Sequence, residues 1–96
     1  MQLASVVDRL DAELRTADYA DLDASANGLQ VGPDKADIER VAFAVDGVRE
    51  TFEEAIAADA DLLVVHHGIS WGGFDRVTGR TYDRLAPLLE DDLALY

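Results

Sequence analysis

Two short apolar runs, Val41-Ala42-Phe43-Ala44-Val45 and Leu62-Leu63-Val64-Val65, constrain this chain more than any other feature. Each has strand length, carries β-favouring residues and contains no polar side chain, which reads as a strand buried on both faces. Between them Val48, Phe52, Ala55 and Ile56 recur at helical spacing, so the segment is a strand–helix–strand unit. Such units form a parallel pair with a right-handed crossover. Asp46-Gly47 ends the first run, and capping of the following helix is the favoured role for the Asp46 carboxylate.

The remaining segments extend this pattern. Leu3, Val6, Val7, Leu10 and Leu14 define an amphipathic helix over about residues 2–17. A polar stretch from Asp18 to Asn27 follows, and Asn27-Gly28 signals a turn. Leu29 to Val31 reads as a short strand ended by Gly32-Pro33. His66 to Gly79 reads as a loop, and Leu85, Leu88 and Leu89 give helical spacing over residues 80–89, with Pro87 awkwardly inside. A last strand begins at Leu93. The expected fold class is α/β, a mainly parallel or mixed sheet of three to four strands flanked by helices. Residues 1–96 are expected to form a single domain. Because the chain stops within the run Leu93-Ala94-Leu95-Tyr96, that domain is expected to be the N-terminal portion of something longer.

Charge narrows the function classes. The chain holds 20 acidic residues (14 Asp, 6 Glu) against 8 basic ones, with Lys35 its single lysine, for a net charge of −12. The 10 acids and 4 bases before Val48 are matched by the same numbers after it, so the charge is a coat and not a tail. Phosphate backbones need clustered Lys and Arg, so no nucleic-acid partner is expected. An Asp-rich, Lys-poor surface suits a high-salt medium in which self-repulsion is screened; an ordinary acidic protein is the plainer alternative. The absence of cysteine rules out disulfides, thiolate metal sites and a cysteine nucleophile. No signal peptide is visible in MQLASVVDRL, and a cytoplasmic location is expected. The longest uncharged run, Leu62 to Phe74, is 13 residues, short of the roughly 20 that a membrane span requires.

The chemistry-bearing residues are few. The two histidines, His66 and His67, are adjacent and follow the second apolar run, at the strand end where α/β sheets build ligand sites. Neutral imidazole is a common ligand for zinc and iron. Neighbours on a regular strand face opposite ways, but where a strand yields to a Gly-bearing loop both rings can converge. The plainer reading has one histidine capping the strand end and the other in solvent. In Gly68-Ile69-Ser70-Trp71-Gly72-Gly73-Phe74 the aromatics suit either a lid or packing, with packing favoured. Ser70 has no base assigned to it, and no glycine-rich turn leads into a phosphate-loop lysine.

The segments Asp23-Ala24-Ser25-Ala26-Asn27-Gly28-Leu29-Gln30-Val31-Gly32, the strand ending in Asp46, and Ala60-Asp61-Leu62-Leu63-Val64-Val65-His66-His67 form an ordered set. With Arg80-Thr81-Tyr82-Asp83-Arg84-Leu85-Ala86-Pro87-Leu88-Leu89 and the Ala94-Leu95-Tyr96 ending, they resemble the interacting-factor-three-like (Nif-three-like) family over essentially the whole chain. Members are described as dinuclear-metal, homohexameric proteins and are often labelled GTP cyclohydrolase I type 2 homologues. The resemblance implies that His66 and His67 each bind one of two neighbouring divalent ions, of zinc, iron or manganese type. It also implies further ligands, a His and an Asp soon after the strand at Leu93 and a His and a Glu near the end of a longer chain, which these residues lack. The family commonly has Pro where this chain has Gly68, and Pro87 fits as a family feature.

Three functions follow as expectations. The first is a metal-dependent hydrolase of a small polar or nucleotide-like substrate, with catalytic residues beyond the ligands unassigned. The second is a non-catalytic metal-binding or regulatory partner-binding module. The third, cyclohydrolase action on GTP, rests on the label alone.

Overall fold

The computed structural model describes residues 1–19, 26–33, 36–70 and 72–96. Helix α1 spans Leu3–Leu14 and is followed by a 3-10 turn at Thr16–Tyr19. Arg15 between them adopts a left-handed backbone (φ 53°), which ends the α-helix short of the expected residue 17. Strand β1 (Val41–Asp46), helix α2 (Arg49–Ala57) and strand β2 (Leu62–His67) form the expected strand–helix–strand unit. Helix α3 (Gly79–Glu90) then leads to the short strand β3 (Ala94–Leu95).

The sheet order is β1-β2-β3 with both pairs parallel, so the fold is α/β. Val41 lies opposite Leu62 and the register runs on to Asp46 opposite His67. Helices α2 and α3 cover one face, where Phe52, Leu63, Leu85, Leu88, Leu93 and Leu95 are buried together. On the other face α1 packs Leu3 against Leu62, Ala94 and Tyr96. Helix α3 runs through Pro87, with Leu85 and Leu88 buried on either side of it.

Four expectations are corrected. Strand β1 is not buried on both faces, because α1 lies over β2 and β3 and leaves the edge uncovered; Phe43 is 74% exposed and Val45 63%. The segment at Leu29–Val31 is not a strand but a single antiparallel bridge, Val31 to Leu95. Gln30 and Val31 there share one carbonyl, that of Leu95, so no ladder develops. Asp46 does not cap α2: it is the last residue of β1, and Val48 holds the cap position. Finally, His66 and His67 belong to β2 and not to the loop after it.

Candidate metal centre

The site is assembled at the carboxyl ends of β1 and β2. Consecutive residues on β2 face opposite sides of the sheet, so His66 shares a face with Leu62 and Val64, and His67 with Leu63 and Val65. At the strand end the two rings nevertheless draw together, with centroids 4.5 Å apart and planes tilted by 49°. Both histidines are exposed. Across the register, Asp46 Oδ1 lies 2.8 Å from His67 Nδ1. A carboxylate only accepts, so Nδ1 donates, and in the neutral ring this selects the tautomer in which Nε2 presents its lone pair. A carboxylate behind an imidazole is the arrangement that orients metal-binding histidines.

The chain leaving the pair is held from both sides. Gln30 Oε1 accepts the Ile69 N–H (2.9 Å), and Arg84 Nη2 donates to the Ile69 carbonyl (3.2 Å). The same guanidinium nitrogen lies 3.4 Å from the Gly47 carbonyl, so one α3 side chain spans the exits of β1 and β2. The Arg84 Nε is buried and has no partner among the described residues. Gly68 leaves room for the Gln30 amide: a Cβ there would lie 2.3 Å from Gln30 Nε2, so that flexible side-chain end would have to shift.

Beside His66 a cleft of about 330 Å³ is lined by Thr16, Tyr19, Asn27, Gln30 and Tyr96. The Tyr96 hydroxyl donates to Asp11 Oδ1 (2.6 Å) and lies 2.6 Å from Thr16 Oγ1. Burial, helped by the Asp11 contact, pushes the Tyr96 phenol above its usual value, which keeps it a hydrogen-bond donor.

Two imidazoles and an orienting carboxylate fit part of a metal site. Among the described residues no group of three or more His, Cys, Asp or Glu side chains is placed to hold an ion. Sequence reasoning named the histidines and assigned Asp46 to the wrong task; equal strand lengths from Val41 and Leu62 were the signal that would have set Asp46 against His67. Gln30 and Arg84 gave no signal, because their contacts span 39 and 15 positions. Of the glycine-rich loop, Trp71 lies outside the described residues, as do residues 23–25 of the first family segment. Ser70 is buried and its hydroxyl accepts the Gly73 N–H (3.0 Å), a turn contact. Among the described residues no helix is long and apolar enough to cross a membrane.

Comparison with known proteins agrees with this architecture. A GTP cyclohydrolase 1 type 2 homolog of Halobacterium salinarum is 53% identical over 96 residues, all of this chain and 37% of that protein. One from Pyrococcus abyssi is 45% identical over the same span and the same share. The chain thus spans little more than a third of the length of these relatives. Among solved structures, TTHA1606 from Thermus thermophilus superposes with a TM-score of 0.91 at 36% identity, covering 100% of this chain and 39% of that one. Reduced HcgD from Methanocaldococcus jannaschii gives 0.85 at 26% identity, covering 100% and 38%. The family model of Duf34/NIF3 (NGG1p interacting factor 3) matches residues 1–96, and the chain belongs to that family.

Proposed function

We propose that His66 and His67 each hold one of two divalent metal ions, and that the chain is part of a metal-dependent hydrolase of a small polar or nucleotide-like substrate. The observation that carries this reading is the convergence of the two rings at 4.5 Å with Asp46 hydrogen-bonded behind His67. Bound ions would supply Lewis-acid polarisation of a carbonyl or phosphoryl oxygen. This chain's own residues would do the rest: Asp46 fixes the His67 ring, Gln30 and Arg84 fix the turn after it, and the cleft beside His66 admits the substrate. Two imidazoles fall short of the three or four ligands a metal ion takes, so the remainder come from outside the described residues.

The reading extends to the whole protein. Residues 1–96 act as one α/β unit, the N-terminal part of a longer, cytoplasmic protein that assembles as a homohexamer, as family resemblance suggests. A second reading, a non-catalytic metal-binding or regulatory module, stays open because the sequence offers no histidine beyond His66 and His67 to act as a general base. Elemental mass spectrometry of His66→Ala and His67→Ala in the longest form of the protein tests metal binding. Each variant should lose most of one ion per subunit. Two ions retained in both would make the histidines structural. A metal-dependent hydrolysis screen on the same samples separates enzyme from module.

A further inference from the structure

The Asp46–His67 hydrogen bond needs more support than its two side chains give it. They are 57% and 51% exposed, so water competes for each partner. An exposed pair of this kind forms firmly only where the backbone already holds its ends in place. His67 sits in the sheet register, whereas Asp46 is the last residue of β1, where the ladder runs out. Yet both peptides of the step Asp46-Gly47-Val48 are bonded at N–H and at C=O. The Gly47 N–H donates to the His67 carbonyl (2.7 Å), and the Gly47 carbonyl lies 3.4 Å from Arg84 Nη2. The other two groups, the Asp46 carbonyl and the Val48 N–H, both go to Thr51.

Thr51 is the third residue of α2. Its Oγ1 accepts the Val48 N–H (3.2 Å) and donates to the Asp46 carbonyl (2.6 Å). The Val48 carbonyl also lies 2.8 Å from Oγ1, but a hydroxyl has one hydrogen, and that carbonyl already accepts the Phe52 N–H (3.0 Å). Accepting the N–H of the cap residue is the usual duty of a Glu or Gln at this third position. A carboxylate there completes the cap but has nothing to donate. The Thr51 hydroxyl does both, so it ties the start of α2 to the end of β1, at the residue that bonds His67.

We propose, on the metal reading above, that Thr51 is a positioning residue of the metal centre: its hydroxyl holds the Asp46 backbone so that the carboxylate fixes His67 in the tautomer that offers Nε2. Thr51 acts on the ring through Asp46. With the hydroxyl removed, the Asp46 carbonyl and the Val48 N–H turn to water, the carboxylate loses its fixed base, and both tautomers of His67 become populated. Helix α2 itself stays in place, because Phe52 and Ala55 anchor it in the core.

Imidazole nitrogen NMR of the metal-free protein, in its longest form, reads the His67 tautomer directly. The parent ring should be mainly the form protonated at Nδ1. Thr51→Val, which swaps the hydroxyl for a methyl of similar shape, should cut the ratio of the two tautomers about threefold, the scale of one modest hydrogen bond. Thr51→Ser, which keeps the hydroxyl, should restore the ratio. Metal titration should show the His67 ion weakened about threefold in Thr51→Val, short of the about 10–100-fold expected for loss of an outer-shell group itself. In an Asp46→Ala background Thr51→Val should move neither readout further. Circular dichroism checks the fold, and Thr51→Ala supplies a second variant without the hydroxyl. A lower melting temperature with an unmoved tautomer ratio would make Thr51 a helix cap and nothing more, which overturns the proposal. An equal shift with and without Asp46 overturns it as well. A tautomer shift in a protein that takes up no metal sinks the metal reading and leaves the link from Thr51 through Asp46 to His67 standing.

Discussion

Asp46 and His67 stand directly opposite each other in the β1–β2 register and share a 2.8 Å hydrogen bond, although 21 positions separate them. Parallel register makes this pairing unavoidable once Val41 is set against Leu62. The carboxylate therefore acts on the ring from a neighbouring strand, a rigid mount compared with a loop.

Under the proposed metal reading, removing that mount should weaken metal binding without removing a ligand. Asp46→Ala should lower affinity at the His67 ion about 10–100-fold and leave the His66 ion little changed. Competition titration with a metal-sensitive dye measures both, and equal affinities in variant and parent would show that the carboxylate does not orient the ring.

Gly68→Ala should cost about 1 kcal/mol. The new methyl would displace the Gln30 amide, a flexible side-chain end, so the loss is its hydrogen bond to the Ile69 N–H rather than a rigid clash. Urea unfolding reads the stability, and faster exchange of the Ile69 amide locates the cause. In a Gln30→Ala background the further cost of Gly68→Ala should fall.

Two phenylalanines should respond oppositely to truncation. Phe52 is fully buried between the sheet and α3, and Phe52→Ala should destabilise by about 3–5 kcal/mol. Phe43→Ala, on the open side of β1, should change monomer stability by less than about 1 kcal/mol. Chemical denaturation at low salt and low concentration compares the two; equal losses would place Phe43 in a core.

Asp61 should contribute to the acid limb of stability. Its Oδ2 accepts the N–H groups of Glu39 and Arg40, both at 3.0 Å, and these bonds hold its carboxyl below the usual value of 3.8. A depressed folded value means the contribution is whole above the unfolded value and fades as pH falls through the folded one. Between about pH 5 and pH 2, Asp61→Asn should therefore show a shallower loss of stability than the parent. Thermal melts across that range test it, and parallel curves would remove Asp61 as a contributor.

Salt should raise the melting temperature. The charge of −12 on 96 residues repels itself in the folded state, and screening relieves it. A melting temperature flat from about 0.1 M to about 3 M potassium chloride would show that the acidic coat has no such cost.

Residue pattern by itself determined much of this protein. The apolar runs at Val41 and Leu62 and the helical spacing between them dictated a parallel strand–helix–strand unit. The ordered segments ending in His66-His67 carried the family, and the charge set the expected response to salt. Those properties are local: each is written in residues a few positions apart, which feel the same periodic backbone. Only the tertiary structure decided that, among the described residues, α1 leaves one face of β1 uncovered, that Asp46 bonds His67 instead of capping α2, and that Gln30 and Arg84 hold Ile69. An apolar strand reads alike whether or not a helix covers it, so the placement of α1 over β2 and β3 had to be seen. A carboxylate two residues before a helix suits both a cap and a cross-strand bond. The choice fell to register and crossover packing, which bring together groups that share no local pattern.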